Sequence, residues 1–304
     1  MPTLRVHLFG KFCVRCDEHL LDGFNAHKVQ ELFCYLLLFR NRSFPRELLA
    51  SHLWPETTTV QSKKNLRQTL WRLQSALDSF NERANDRVLI VEPDWVQLNT
   101  EADLWLDVSV FEQAYTFVQK TTCQELDSSS IKLLQETVHL YKGPLLEGWY
   151  QDWCLQERER FQGMYLAMLD KLMSYYEVHH DYETSLSYGK RIMCYDRARE
   201  RTHRSLMRLY YLIGDREEAL RQYERCAFAL NEELGLPPSK STIALYRQIQ
   251  ADQFEALTST PVGVATSPEA PVSQLLEFLD HLSHLQESLN NLQNEVHRAI
   301  RLYN

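Results

Sequence analysis

The residues best suited to chemistry lie in one basic stretch, residues 60–79, which reads VQSKKNLRQTLWRLQSALDS. This stretch has four Lys or Arg residues and one acid, Asp78, although the chain as a whole has a net charge of −8. On a helical wheel, one face is a leucine ridge made of Leu66, Leu70, Leu73 and Leu77. The other face combines cations with amides, which suit phosphates and the base edges of the major groove. The pattern predicts a helix that binds double-stranded DNA.

The predicted recognition helix spans residues 62–79, and we expect the DNA contacts to come from its outward face and from the start of a following strand. Because no acid occurs between residues 57 and 77, nothing in that stretch repels phosphate. The alternative to DNA binding is a basic helix that binds no ligand and whose charged face is simply solvated. The candidate DNA-binding residues are Lys63, Lys64, Asn65, Arg67, Gln68, Trp71, Arg72, Ser75 and Arg87.

The elements around this helix follow the order of a winged helix. Residues 4–17 alternate like short strands, residues 29–39 and 47–54 form two apolar helices, and residues 87–91 and 95–98 form a hairpin after the basic helix. A third helix offered outward beside a β-hairpin is a winged helix-turn-helix. We therefore predict an α+β DNA-binding domain at residues 1–101, which has 13 basic and 12 acidic residues.

The rest of the chain is helical in pattern and repeats at an offset of 34 residues. DYETSL, beginning at Asp181, corresponds to DREEAL, beginning at Asp215. This is the period of tetratricopeptide (TPR) helix pairs, so we predict an all-α TPR-like domain at residues 102–256. We expect Trp149, Tyr150 and Trp153 to pack its first helices, and Glu157 and Arg158 to form salt bridges.

A linker and a terminal helix are predicted beyond this domain. Residues 257–273 are rich in Ser, Thr and Pro, and residues 274–304 have apolar residues at heptad spacing. We predict a coiled coil that makes a homodimer; the alternative is a helix that packs on its own TPR-like domain. The fold class is thus mainly α. The candidate dimerisation residues are Leu275, Phe278, Leu282, Leu285, Leu289, Leu292 and Val296.

Other kinds of chemistry find little support in the sequence. The 11 histidines have no HExxH or other metal-ligand spacing, there is no GxSxG, and no glycine-rich phosphate loop occurs among the nine glycines. We therefore predict no enzyme activity, no cofactor and no metal site. Because no long apolar run or secretory signal is visible, we expect a cytoplasmic protein with no membrane partner.

Two segments carry a resemblance to a known family. LRVHLFGKF, HLWPE and LRQTLWRLQSAL resemble the OmpR-type winged helix of the Streptomyces antibiotic regulatory protein (SARP) family, and YKGPLLEGWYQDWCLQERERF resembles its bacterial transcriptional activator domain. The resemblance covers residues 3–252. It implies an activator that binds promoter DNA and helps to recruit RNA polymerase, with residues 54–61 facing the polymerase. The acidic wing tip Glu92-Pro93-Asp94, the missing GxxxxGK[ST] motif and the added coiled coil depart from the family pattern.

Two further interpretations concern the TPR-like domain. A cationic cluster predicts a site for a small-molecule or nucleotide effector that carries phosphate. The alternative is a solvated surface on which Glu200, Glu217 and Glu218 balance the positive charges. A second function would be a TPR adaptor whose winged helix binds protein instead of DNA. The candidate effector-binding residues are Lys190, Arg191, Arg197, Arg201 and Arg204.

Overall fold

The computed structural model describes residues 4–16, 19–20, 24–78, 87–121 and 126–253. Residues 1–254 form one compact unit. The predicted linker and the predicted coiled coil with its dimerisation residues, from Leu275 to Val296, lie outside the described residues. Apolar side chains of both predicted domains form one continuous hydrophobic core within the compact unit.

The N-terminal part has the predicted order of strands, helices and hairpin. Its elements are β1 (Leu4–His7), β2 (Cys13–Cys16), β3 (His19–Leu20), α1 (His27–Leu38), β4 (Phe44–Pro45), α2 (Arg46–Leu53), α3 (Thr59–Asp78), β5 (Leu89–Val91), β6 (Trp95–Leu98) and β7 (Leu104–Leu106). One sheet has the order β3-β2-β1-β7, and the second has the order β4-β6-β5. The predicted winged helix-turn-helix is therefore present, because α2 and α3 are followed by the antiparallel pair β5 and β6.

The C-terminal part is all helical in the residues that the structure describes. Its helices are α4 (Asp107–Lys120), α5 (Ser128–Leu140), α6 (Asp152–Val178), α7 (Tyr182–Met193), α8 (Glu200–Leu212), α9 (Arg216–Leu234) and α10 (Lys240–Gln250). Helices α6 and α7 pack as one antiparallel pair, α8 and α9 form the next, and α10 covers the end of the second pair. This arrangement agrees with the predicted TPR-like fold.

The equivalence of DYETSL and DREEAL is confirmed by the caps of α7 and α9. The Asp181 carboxylate accepts a hydrogen bond from the backbone N–H of Thr184 at 3.2 Å. Asp215 likewise accepts one from Glu218 at 3.0 Å. Such N-caps satisfy donors that the first helical turn leaves free. The two aspartates therefore begin the second helix of each repeat at matching positions.

The C-terminal helices are joined to the N-terminal sheet through β7 and α4. Strand β7 pairs in parallel with β1, beyond the boundary that the sequence predicted at residue 101. Asp107 begins α4, and its carboxylate accepts the backbone N–H groups of Leu8 at 2.8 Å and Phe9 at 3.0 Å. The Phe9 ring packs on Phe111 and Tyr141 at centroid distances of 4.8 and 5.0 Å. Hydrogen bonds and ring packing thus hold the two parts together.

The loop before α6 corrects two expectations about its aromatic and charged residues. Trp149 and Trp153 are buried as predicted, but Tyr150 is 78% exposed and packs against little. The Arg158 guanidinium forms no salt bridge in the described residues; it donates to the backbone carbonyls of Leu145, Leu146 and Trp149 at 2.9–3.0 Å. The loop folds back over this side chain, so its carbonyls replace the expected carboxylate partner.

The buried tryptophans also reach the winged helix. The Trp149 ring stacks on His27 with centroids 4.8 Å apart, and Trp153 meets the edge of Tyr35 at 5.5 Å. Both partners belong to α1, which packs directly on α3. Helix α1 is therefore the structural link between the TPR-like helices and the predicted recognition helix.

Candidate nucleic-acid interface

Helix α3 is oriented by its leucine ridge. Leu66, Leu70, Leu73 and Leu77 are all at most 4% exposed and pack into the core beside α1 and α2. Burial of four such side chains contributes on the order of 6–12 kcal/mol before entropic costs. This large apolar contribution fixes the rotation of the helix, so the opposite face must point outward.

The side chains predicted to bind DNA lie on that outward face. Trp71 is 66% exposed, and Asn65 is half-buried. The Asn65 side chain accepts a hydrogen bond from Gln61 Nε2 at 2.8 Å, which orients both amides along the helix. The structure brings these residues together on one helical surface. The exposed members of the predicted set on α3 are Lys63, Lys64, Arg67, Gln68, Trp71, Arg72 and Ser75.

One acid is in direct contact with this surface. The Glu47 carboxylate, in the first turn of α2, pairs with the Lys63 ammonium at 2.5 Å. This hydrogen bond lowers the pKa of Glu47, which therefore stays charged at neutral pH. Both side chains are substantially exposed, at 78% and 46%, so the pair is accessible to competing phosphates.

The wing is tied to the start of α2. The backbone N–H of Arg46 donates to the carbonyl of Asp94 at 2.8 Å, and its guanidinium donates to the carbonyls of Glu92 and Pro93, both at 3.3 Å. Arg46 thus holds the wing tip beside α3 through its backbone carbonyls. A groove of about 480 Å³ lies between them, and its lining includes Arg46, Lys63, Arg67, Asp94 and Trp95.

The structure places Arg87 apart from the other predicted DNA-binding residues. It lies two residues before β5 at the base of the hairpin, where its carbonyl accepts from Asn99 Nδ2 at 2.9 Å. Its side chain is exposed. Arg87 is therefore separated along the wing from the groove that contains Lys63 and Arg67.

Sequence reasoning missed two residues of the groove, Arg46 and Trp95. Trp95 begins β6 and is 44% exposed, which leaves a large aromatic surface facing the groove. A Pro–Arg pair at the start of a helix and a Trp next to a hairpin tip were the available signals. Neither residue lies in the basic stretch, so only the fold brings them next to α3.

The connection between α2 and α3 is exposed along most of its length. Residues 55–61 are solvent-accessible, and Val60 is 82% exposed. Its first residue is held in place: the Lys28 ammonium donates to the Leu53 carbonyl at 2.6 Å and lies 5.6 Å from the Trp54 ring. The segment predicted to face RNA polymerase is therefore accessible, and it consists of a short loop followed by the first residues of α3.

The candidate effector residues do not form one cluster. Arg197 pairs with Glu232 at 3.3 Å and with Glu233 at 3.0 Å. Arg204 donates to Thr242 Oγ1 at 3.1 Å and lies 3.8 Å from Glu200. These contacts resemble the balanced surface that was the alternative interpretation.

The remaining members of that set have different surroundings. Arg191 donates to the Val138 carbonyl at 3.2 Å and lies over the Tyr165 ring at 5.2 Å. Lys190 lies 5.7 Å from the Tyr210 ring. Arg201 is exposed. Lys190 and Arg197 both line one cavity of the TPR-like domain.

The described residues contain neither a cluster suited to a metal ion nor a helix suited to a membrane. No group of His, Cys, Asp or Glu in this part of the chain is arranged to hold a metal ion. None of its helices is long and apolar enough to cross a membrane.

Comparison with known proteins identifies the helical part. Residues 106–250 match the family described as bacterial transcriptional activator domain. The transcriptional regulatory protein MoaR1 of Mycobacterium bovis (strain BCG / Pasteur 1173P2) is 22% identical over 232 residues, which are 73% of this chain and 71% of MoaR1. The family is thus one of transcriptional regulators and not of enzymes.

A solved structure shares the fold. Mycobacterium tuberculosis EmbR, solved in complex with a low-affinity phosphopeptide, superposes with a TM-score of 0.66 at 18% identity, over 84% of this chain and 67% of EmbR. At this identity the likeness shows the fold alone. The sequence matches carry the family: residues 106–250 belong to the bacterial transcriptional activator domain family, and the predicted resemblance to SARP-type transcriptional regulators is confirmed.

Proposed function

We propose that the protein is a sequence-specific DNA-binding transcriptional regulator that reads the major groove with α3 and activates by recruiting RNA polymerase. The observation that supports this most strongly is the division of α3 into a buried leucine ridge and an exposed face of cations and amides. Recognition helices of this type place their base-reading side chains on the face that the core leaves free. The exposed segment at residues 54–61, which includes the first residues of α3, is the proposed polymerase-facing surface.

The exposed face of α3 supports a specific division of roles. Lys64, Arg67 and Arg72 carry charge that suits phosphates, whereas Gln68 and Asn65 have the donor and acceptor pairs that read base edges. Arg46 holds the wing tip through its backbone carbonyls, and Lys63 and Arg67 give the groove a cationic side next to α3. The proposed complex therefore depends on the amides of α3 for specificity and on its cations for affinity.

Dimerisation through residues 274–304 completes the proposal. Two winged helices joined by such a coil would bind paired half-sites, and the linker predicted from the composition of residues 257–273 would allow either orientation. Analytical ultracentrifugation of the full chain and of a chain ending at residue 256 tests this step. A full chain that sediments as a monomer at micromolar concentration would refute it.

DNA binding is tested by fluorescence anisotropy with the full chain and fragments of the promoter region upstream of its own gene. We expect binding that weakens steeply as salt rises, because each cation on a phosphate releases counterions. The double variant Lys64→Ala/Arg67→Ala should lose binding, while Lys132→Ala, an exposed lysine of α5, is the matched control. Absence of binding at low salt would favour the adaptor function, in which the winged helix binds protein.

A further inference from the structure

A cavity of about 700 Å³ lies among α7, α8 and α9, well away from the proposed DNA surface in sequence. Leu206 and Tyr210 of α8 are buried beneath it, and Met193 of α7 and Phe228 of α9 form its sides. Phe228 is 66% exposed, so an aromatic ring is left accessible beside the cavity. A volume of this size with apolar walls is typical of sites for small molecules.

The buried polar groups of the cavity are already satisfied. His203 Nε2 is 2.8 Å from the Arg197 carbonyl and, as the donor, leaves Nδ1 to accept from Gln222 Nε2 at 2.7 Å. Burial lowers the pKa of His203, so the ring is neutral at physiological pH. Gln222 Oε1 in turn accepts from Arg225 at 2.9 Å. This wall therefore supplies shape and no positive charge.

The cations at the rim differ in whether they are neutralised. Arg197 is paired with two carboxylates of α9, and Arg225 is paired with Glu218 at 2.7 Å. Lys190 has no carboxylate within ion-pairing distance among residues that the structure describes, and its ammonium lies 5.7 Å from the Tyr210 ring. One cation at the cavity is thus available for a ligand.

We propose that this cavity binds an amphipathic small molecule with a single carboxylate, the apolar body against Phe228 and Leu206 and the carboxylate on Lys190. A ligand with several phosphates is a poorer match, because only one cation is uncommitted and Glu224 also lines the rim. A carboxylate and an ammonium can form a charge-assisted hydrogen bond, and the apolar walls favour burial of a hydrocarbon or aromatic body. This proposal goes beyond DNA binding and does not depend on it.

Isothermal titration calorimetry on the full chain tests this proposal with three probes: naphthaleneacetate, the uncharged naphthyl ethanol, and ATP. We expect naphthaleneacetate to bind, and Lys190→Gln to weaken it about tenfold, the effect of losing one charge-assisted hydrogen bond at an exposed site. The same substitution should leave naphthyl ethanol unaffected. Phe228→Ala should weaken both naphthyl probes, and Lys132→Gln is the control with one charge removed elsewhere.

The outcomes separate this site from the alternatives. The proposal would be overturned if neither Lys190→Gln nor Phe228→Ala changed the affinity for naphthaleneacetate. It would also be overturned if naphthaleneacetate did not bind at millimolar concentration. ATP binding that exceeds naphthaleneacetate binding and depends on Lys190 would also overturn it, in favour of a phosphate site. Because Lys190 and Phe228 are exposed and lie outside the winged helix, their variants should bind DNA like the wild type. Failure here therefore leaves the proposed function untouched.

Discussion

Replacing Glu47 by Gln should change the way DNA binding responds to salt. In the free protein the Glu47 carboxylate holds the Lys63 ammonium. When Lys63 moves to a phosphate, the DNA releases a counterion, but the abandoned carboxylate attracts a cation from solution. The two ion exchanges offset each other, so in the wild type Lys63 adds little to the salt dependence. In Glu47→Gln nothing opposes the release.

The magnitude follows from the counterion rule. One additional phosphate contact steepens the slope of log K against log salt by about 0.9. Over a fourfold rise in salt, from about 50 to about 200 mM, this means an extra loss of affinity of about 3.5-fold. At low salt Glu47→Gln should bind more tightly than the wild type, because phosphate no longer competes with a neighbouring carboxylate.

Fluorescence anisotropy at several salt concentrations measures both effects on one promoter fragment. Glu136→Gln, an exposed acid of α5, is the control for a change of one unit in net charge. In a Lys63→Ala background, Glu47→Gln should no longer alter the slope. If Glu47→Gln and Glu136→Gln have the same slope as the wild type, Lys63 does not reach a phosphate and the reasoning is refuted.

Other predictions address the same surface and the fold. Lys64→Ala and Arg67→Ala should each weaken binding to all DNA sequences and reduce the slope of log K against log salt by about 0.9. Gln68→Ala should instead reduce the preference at one base pair by about 1–3 kcal/mol, measured in competition assays. Burial raises the pKa of Asp107 from 3.8 to about 6. The stabilising contribution of Asp107 is therefore present below about pH 4 and is lost as pH rises through about 6. Between these values, the free energy of unfolding in urea should fall by up to about 3 kcal/mol relative to that of Asp107→Asn. Parallel pH profiles of the two proteins would contradict this. Arg158→Ala should cost about 2–4 kcal/mol in the same assay, since buried carbonyls of the loop before α6 lose their donor; a smaller loss would mean that water replaces the guanidinium.

The recognition helix was predictable because its information is local. The spacing of Leu66, Leu70, Leu73 and Leu77 specifies which side of one helix is buried, and the remaining side chains follow from that rotation. The TPR-like repeats were predictable for a similar reason, since Asp181 and Asp215 cap their helices through neighbours three residues away. Periodicity and capping act over a few residues, so a single sequence records them.

Contacts between distant segments were not predictable in this way. Tyr150 and Trp153 are similar aromatic residues only three positions apart, yet one is exposed and the other packs on Tyr35 of α1. The cations of the predicted effector cluster are close in sequence, but their helices turn them toward different partners, and Lys190 alone is left free beside a cavity.

The sequence by itself determined which residues form helices, how α3 is oriented and where the repeats begin. The tertiary structure alone decided that Glu47 pairs with Lys63, that Arg46 fixes the wing, and that Asp107 joins the sheet to α4. The physical reason is the range of the interactions. Hydrophobic periodicity is set along the chain, whereas ion pairs and cavities depend on atoms that approach within a few ångströms only after the chain has packed.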